Sequence, residues 1–141
     1  MSTGPAAAAA LTFVWLGMVL AISFLEAPLK FRARGVTLQI GLGIGRLVFR
    51  ALNTAEVGFA LVILAIVAAG PTPVRITVAF GVALAVLAIQ LIAVRPRLTR
   101  RSDAVLAGLD APRSHGHYAY VGLEAVKVVA LVVAGILLLG G

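Results

Sequence analysis

Four stretches of this chain are too long and too apolar for a water-soluble fold of its size to bury. They cover about residues 6–27, 53–69, 74–94 and 117–139. A helix crosses a hydrocarbon core of about 30 Å with about 20 apolar residues, and in lipid the backbone must satisfy its own hydrogen bonds, which favours helices. The predicted fold class is therefore all-α: an integral membrane four-helix bundle, one domain over residues 1–141. An amphipathic lead-in helix over about 36–52 precedes the second span. Composition agrees, since 62% of the residues are hydrophobic and 12% are charged, where soluble domains run near one half and one quarter.

Boundaries follow from proline, glycine and charge. The first segment meets Pro28 and Gly35 after its apolar run, and no Lys or Arg precedes that run, so it reads as a retained span and not as a cleaved signal peptide. The lead-in carries Arg46, Arg50 and Asn53 and either bends into the second span or continues as it. Gly70-Pro-Thr-Pro73 reads as a tight turn. Arg95-Pro96 is expected to end the third span, with one short helix over 102–109, N-capped by Ser102 or Asp103, in the polar stretch that follows. Gly140 and Gly141 close the fourth span, and no soluble tail is expected after them.

Orientation follows from the basic residues. Lys30, Arg32, Arg34, Arg46 and Arg50 follow the first span, and Arg95, Arg97, Arg100, Arg101 and Arg113 follow the third, whereas the turn between the second and third has only Arg75. The positive-inside rule places both basic connections in the cytoplasm and both termini outside. The expected location is a bacterial inner (cytoplasmic) membrane.

The net charge of +7 does not point to nucleic acid. The arginines flank apolar runs, where they serve topology and lipid headgroups, so membrane lipids are the expected partners. With no cysteine in the chain, disulfide exchange, thiolate zinc and iron–sulfur chemistry are excluded. The run Gly41-Leu-Gly-Ile-Gly45-Arg46 lacks both the preceding strand and the lysine of a phosphate loop, and its glycines read as a close-packing face.

Function is sought in the polar residues of the apolar segments. Glu26 lies at the basic end of the first span, Asn53 and Glu56 at that of the second, and Gln90 near that of the third. Tyr120, Glu124 and Lys127 lie in the same half of the fourth. His117, Tyr120, Glu124 and Lys127, spaced three, four and three, share one helix stripe, as do Ser23, Glu26 and Lys30 if the helix survives Pro28. An ionised residue at a span's centre costs about 2.5–3.5 kcal/mol on insertion scales, so such stripes should face the bundle interior. Each residue also has a plain structural reading: Glu26 and Lys30 as an interfacial ion pair, Asn53 and Gln90 as interhelical glue, Glu124 and Lys127 as a neutralised packing pair. His115 and His117 point roughly 200° apart on a helix and cannot chelate one ion there, so no metal and no cofactor is expected.

The stretch WLGMVLAISFLEAPLKF, followed by GRLVFRALN leading into the second span, resembles the small four-helix membrane proteins that include the eukaryotic transmembrane protein 205. The resemblance covers about Trp15 to Leu64. It implies a four-span fold and brings no functional residues with it. That family is in turn distantly similar to copper-resistance D and HemJ-type proteins, which ligate copper or haem through histidines within spans. This chain has no histidine in its first three segments.

These observations converge on a cytoplasm-facing polar cavity that binds or transports an ion, a proton or a small polar or amphipathic substrate. Glu26, Glu56, Glu124 and Lys127 are the candidate binding or protonation groups, with Asn53, Gln90 and Tyr120 as hydrogen-bond partners. Four helices enclose little volume, so transport is expected to need a homo-oligomer. A membrane enzyme acting on a lipid or haem-like substrate through His117, Tyr120 and Glu124, and an accessory subunit of a larger membrane complex, remain open alternatives.

Overall fold

The computed structural model of the chain describes residues 3–109 and 115–140. Four long helices account for nearly all of them: α1 (Thr3–Lys30), α2 (Leu38–Ala69), α3 (Val74–Leu106) and α4 (His115–Gly140). All four are long and apolar enough to cross a membrane. α4 packs against both α1 and α3, α1 also packs against α2, and the last turns of α3 lean on α2. The ends of α1 and α3 and the starts of α2 and α4 share one end of the bundle, which carries most of the arginines and is termed the basic end below.

Local chemistry sets the turns. Gly35 takes φ +78°, a left-handed conformation that costs glycine little, and turns the chain between α1 and α2. Thr37 then caps α2, its Oγ1 accepting from the Ile40 N–H at 3.2 Å. α2 is one rod of 32 residues, about 48 Å at 1.5 Å per residue. The lead-in and the second span are therefore a single helix that overshoots the hydrocarbon core. At the other end, the Thr72 hydroxyl donates to the Val67 carbonyl at 2.9 Å and closes the Gly70–Pro73 turn.

Proline does not stop α1 or α3. Arg95 and Pro96 were expected to end the third span, yet the helix runs on to Leu106. Residues Gln90–Val94 form a π-helical stretch just before Pro96, and Leu20–Glu26 form another just before Pro28. A proline ring clashes with the carbonyl four residues back. In each stretch the residue before the proline bonds five residues back instead: Ala27 N–H to the Ile22 carbonyl, and Arg95 N–H to the Gln90 carbonyl. The wider turn makes room for the ring and keeps the rod continuous. The short helix expected over 102–109 is accordingly the tail of α3, ended by Gly108 at φ +85°. Neither proposed N-cap acts as one: Ser102 is buried, and Asp103 pairs with Arg46 at 2.8 Å.

The core divides by depth. Toward the end away from most of the arginines it is apolar, with Ala8, Ile76, Ala79, Ala83, Ala134 and Leu138 all buried. Gly135 admits the Phe13 ring, which an added Cβ would meet at 2.6 Å. The Thr12 hydroxyl is buried there and satisfies itself on the Ala8 carbonyl at 2.7 Å. Gly41 and Gly45 do form a close-packing face: added Cβ atoms there would meet the Phe31 ring and, at 3.0 Å, the Lys30 Nζ. Their partner is the exit of α1.

Candidate functional site: a buried charge cluster under a cationic cavity

Lys127 is the hub of the site. Its stripe position on α4 turns it into the bundle, where it is fully buried together with Glu56, Gln90 and Glu124. The ammonium pairs with Glu56 from α2, with Glu124 one helical turn away at 2.6 Å, and with the Gln90 Oε1 from α3 at 2.8 Å. An ammonium has three donors, and these three acceptors use them all.

The acceptors are held in turn. Trp15 on α1 donates its indole N–H to Glu56 Oε2 at 2.9 Å, while its ring stacks on Phe59 with centroids 6.5 Å apart. Ser23 on α1 donates to Glu124 Oε2 at 2.5 Å. The Gln90 Nε2 reaches Glu124 Oε1 at 3.2 Å and the Tyr120 carbonyl at 3.4 Å. All four helices thus meet at one polar level. One ammonium faces two carboxyl groups. Removing a single member of a buried charged set typically costs about 3–5 kcal/mol, because it strands its partners.

A cavity of about 400 Å³ opens between this cluster and the basic end. Glu124 and Ser23 form its floor, and Tyr120 and His117 continue the α4 stripe up its wall. Cations rim it: Lys30, Arg46, Arg95 and Arg101. Phe24, Phe31 and Phe49 supply aromatic walls. The rim cations are tethered locally. Arg46 pairs with Asp103 at 2.8 Å, and Lys30 lies 3.8 Å from Glu26. The Arg95 guanidinium lies 5.2 Å from the Phe49 ring centroid and 4.8 Å from that of Tyr120, within cation–π range.

Of the residues singled out from sequence, Glu56, Gln90, Glu124 and Lys127 come together in the cluster, and Tyr120 stands beside it in the cavity wall. Glu26 does not join them; it is partly exposed and pairs along α1 with Lys30. Asn53 is buried but faces a second cavity, of about 610 Å³, shared with Arg46, Arg50 and Arg95. Trp15, Ser23 and Arg95 enter the site without having been selected. The signal for Trp15 was available: an indole N–H that deep in a span needs an acceptor. Among the described residues, no group of three or more His, Cys, Asp or Glu side chains is placed to hold a metal ion.

Fold and site together define a class: an all-α, four-span membrane bundle with a charged cluster buried at one level. No family model matches the chain, and neither a curated protein nor a solved structure matches it.

Proposed function

We propose that this is an inner-membrane binding protein whose cavity opens to the cytoplasm and accepts a small polar or amphipathic substrate over the Glu56–Lys127–Glu124 cluster. Both termini lie outside in this reading, as the ten basic residues of the two connections require under the positive-inside rule. The observation that carries the proposal is the continuity of the cavity with the cluster. Glu124 and Ser23, bonded to each other, belong to both. A purely structural ion pair has no need of an adjoining space of about 400 Å³, which reaches the size range of ligand pockets.

The alanine-rich apolar core at the opposite end supports binding over conduction by a single chain. Ala83, Leu131 and Ala134 are completely buried in the apolar core, which leaves no exposed polar lining among the described residues there for a solute to follow. Passage through the membrane would require a homo-oligomer or a larger assembly.

The test is a mass-spectrometric and absorbance survey of the protein purified in lipid nanodiscs, wild type beside Glu124→Gln and Val121→Trp. Val121 is exposed, lines the cavity and takes part in none of the cluster's hydrogen bonds or ion pairs, so a tryptophan there is placed to fill the space while the ion pairs remain. A small molecule carried by the wild type and released by Val121→Trp is the expected result. An identical ligand content in all three proteins, each folded, would sink the proposal.

A further inference from the structure

Among the described residues that line the cavity, the buried polar atoms without a partner are the Arg95 Nε and Nη2 and the Ser102 and Tyr120 hydroxyls, all of which can donate. Glu124, the carboxylate of its floor, is fully engaged: Oε1 by Lys127 and Gln90, and Oε2 by Ser23. Arg46 and Lys30 each have a carboxylate nearby. Arg95 has none within ion-pair distance among the described residues. Its Nε and Nη2 are shielded from solvent and meet no acceptor in good hydrogen-bond geometry among the described residues, the nearby Tyr120 hydroxyl included. The Phe49 and Tyr120 rings answer its charge, but a ring face does not replace in-plane acceptors for the N–H groups. The Ser102 hydroxyl, two helical turns further along α3, is likewise buried in the cavity lining without a partner among the described residues.

A guanidinium presents its donors as a planar fork that matches the oxygens of a carboxylate or phosphate. Burying such donors unpaired is costly, so a cavity that keeps them is built for an acceptor to arrive. We infer that the cavity binds an oxoanion, a phosphate or carboxylate group, on the guanidinium of Arg95. This rests on the reading of the cavity as a ligand site. The walls fit the rest of such a molecule being apolar: Phe24 and Phe31 line the cavity while remaining 41% and 40% exposed, on the side where acyl chains would lie. The oxoanion belongs either to a membrane lipid headgroup or to a soluble phosphate, and one experiment separates the two.

Native mass spectrometry of the detergent-purified protein would compare retention of phosphatidylglycerol and of diacylglycerol, which lacks the phosphate, with inorganic phosphate as competitor. The variants are Arg95→Gln, Arg95→Lys and, as control, the exposed Arg97→Gln, which lies outside the cavity lining. Wild type should retain phosphatidylglycerol about tenfold better than diacylglycerol. Arg95→Gln should lose that preference, Arg95→Lys most of it, and Arg97→Gln none, about the size of one charge-assisted pair. If Arg95→Gln misfolds, wild type alone decides: dodecyl phosphate should displace the bound lipid and dodecyltrimethylammonium should not. Displacement by millimolar inorganic phosphate also supports the inference and assigns the oxoanion to a soluble source; resistance to it assigns a lipid. Equal retention of the two lipids by wild type, or equal behaviour of folded Arg95→Gln and Arg97→Gln, overturns it. A cationic or neutral ligand released by Val121→Trp but untouched by Arg95→Gln would defeat the oxoanion and leave the binding function standing. No change in any ligand with Val121→Trp would remove both.

Discussion

The two ends of this bundle solve the same solvation problem in opposite ways. Away from most of the arginines, the helices approach closely on alanine and glycine, and the buried Thr12 hydroxyl closes on its own backbone at Ala8. That end is a low-cost solution in lipid, where packing of small residues drives helix association. At the basic end, four helices direct charges and amides at one another around Lys127, and a cavity adjoins them. Both helices that leave the bundle there, α1 and α3, are widened by π-helical stretches ahead of Pro28 and Pro96. Such stretches recur at functional sites. The contrast teaches that the polar end is not a by-product of poor packing, since the same chain packs well a few turns away.

The comparison breaks most decisively at Lys127. In Lys127→Met, Glu56 and Glu124 lose their shared cation in a fully buried site, and the fold should lose about 3–5 kcal/mol. Denaturant unfolding in mixed micelles would show it, and an unchanged midpoint would mean that the cluster is not buried as described. A sharper version replaces the whole set, Lys127→Met with Glu56→Gln and Glu124→Gln. With no charge stranded, most of that loss should return, while the ligand content of the purified protein should not. Recovery of both stability and ligand would make the charges dispensable for binding.

A smaller effect is expected at Trp15. In Trp15→Phe the stacking surface toward Phe59 remains and the donor to Glu56 goes. Loss of a hydrogen bond to a charged group should cost about 1.5–3 kcal/mol, read as a lower unfolding midpoint. A cost close to zero would show that Glu56 is held by Lys127 alone.

The division between the ends was largely legible from the sequence, because lipid turns polarity into position. Glu56, Gln90, Glu124 and Lys127 sit at matching depths in separate apolar runs, and helical spacing orients the α4 stripe inward without knowledge of its neighbours. What escaped depends on the path of the backbone. Ser23 and Glu26 share a face under α-helical spacing, yet the π-helical stretch from Leu20 to Glu26 alters that phase. Ser23 reaches Glu124, and Glu26 is left with Lys30. Arg95 was read as the end of a span because Pro96 follows it. Only the second π-helical stretch, which carries α3 past that proline, sets the arginine inside the cavity. Trp15 finds Glu56 across 41 residues of sequence, a pairing set by the packing of α1 on α2.

The smallest effects set a glycine against an aromatic ring beside one against a flexible side chain. Replacing a helical glycine with alanine gains up to about 1 kcal/mol of helix propensity wherever it is made, so what differs is what the new methyl group meets. At Gly135 it meets the Phe13 ring, a rigid body at 2.6 Å, and overpacking of that kind costs about 1–3 kcal/mol. At Gly45 it meets the far end of Lys30, with Nζ at 3.0 Å, and a flexible side chain beside a cavity can step aside. Gly135→Ala should therefore lower the unfolding midpoint in mixed micelles, and Gly45→Ala should leave it unchanged or raise it. If Gly45→Ala were the more damaging of the two, Lys30 would be held as firmly beside the cavity as the Phe13 ring is at the apolar end. The cavity would then have no give with which to admit a ligand.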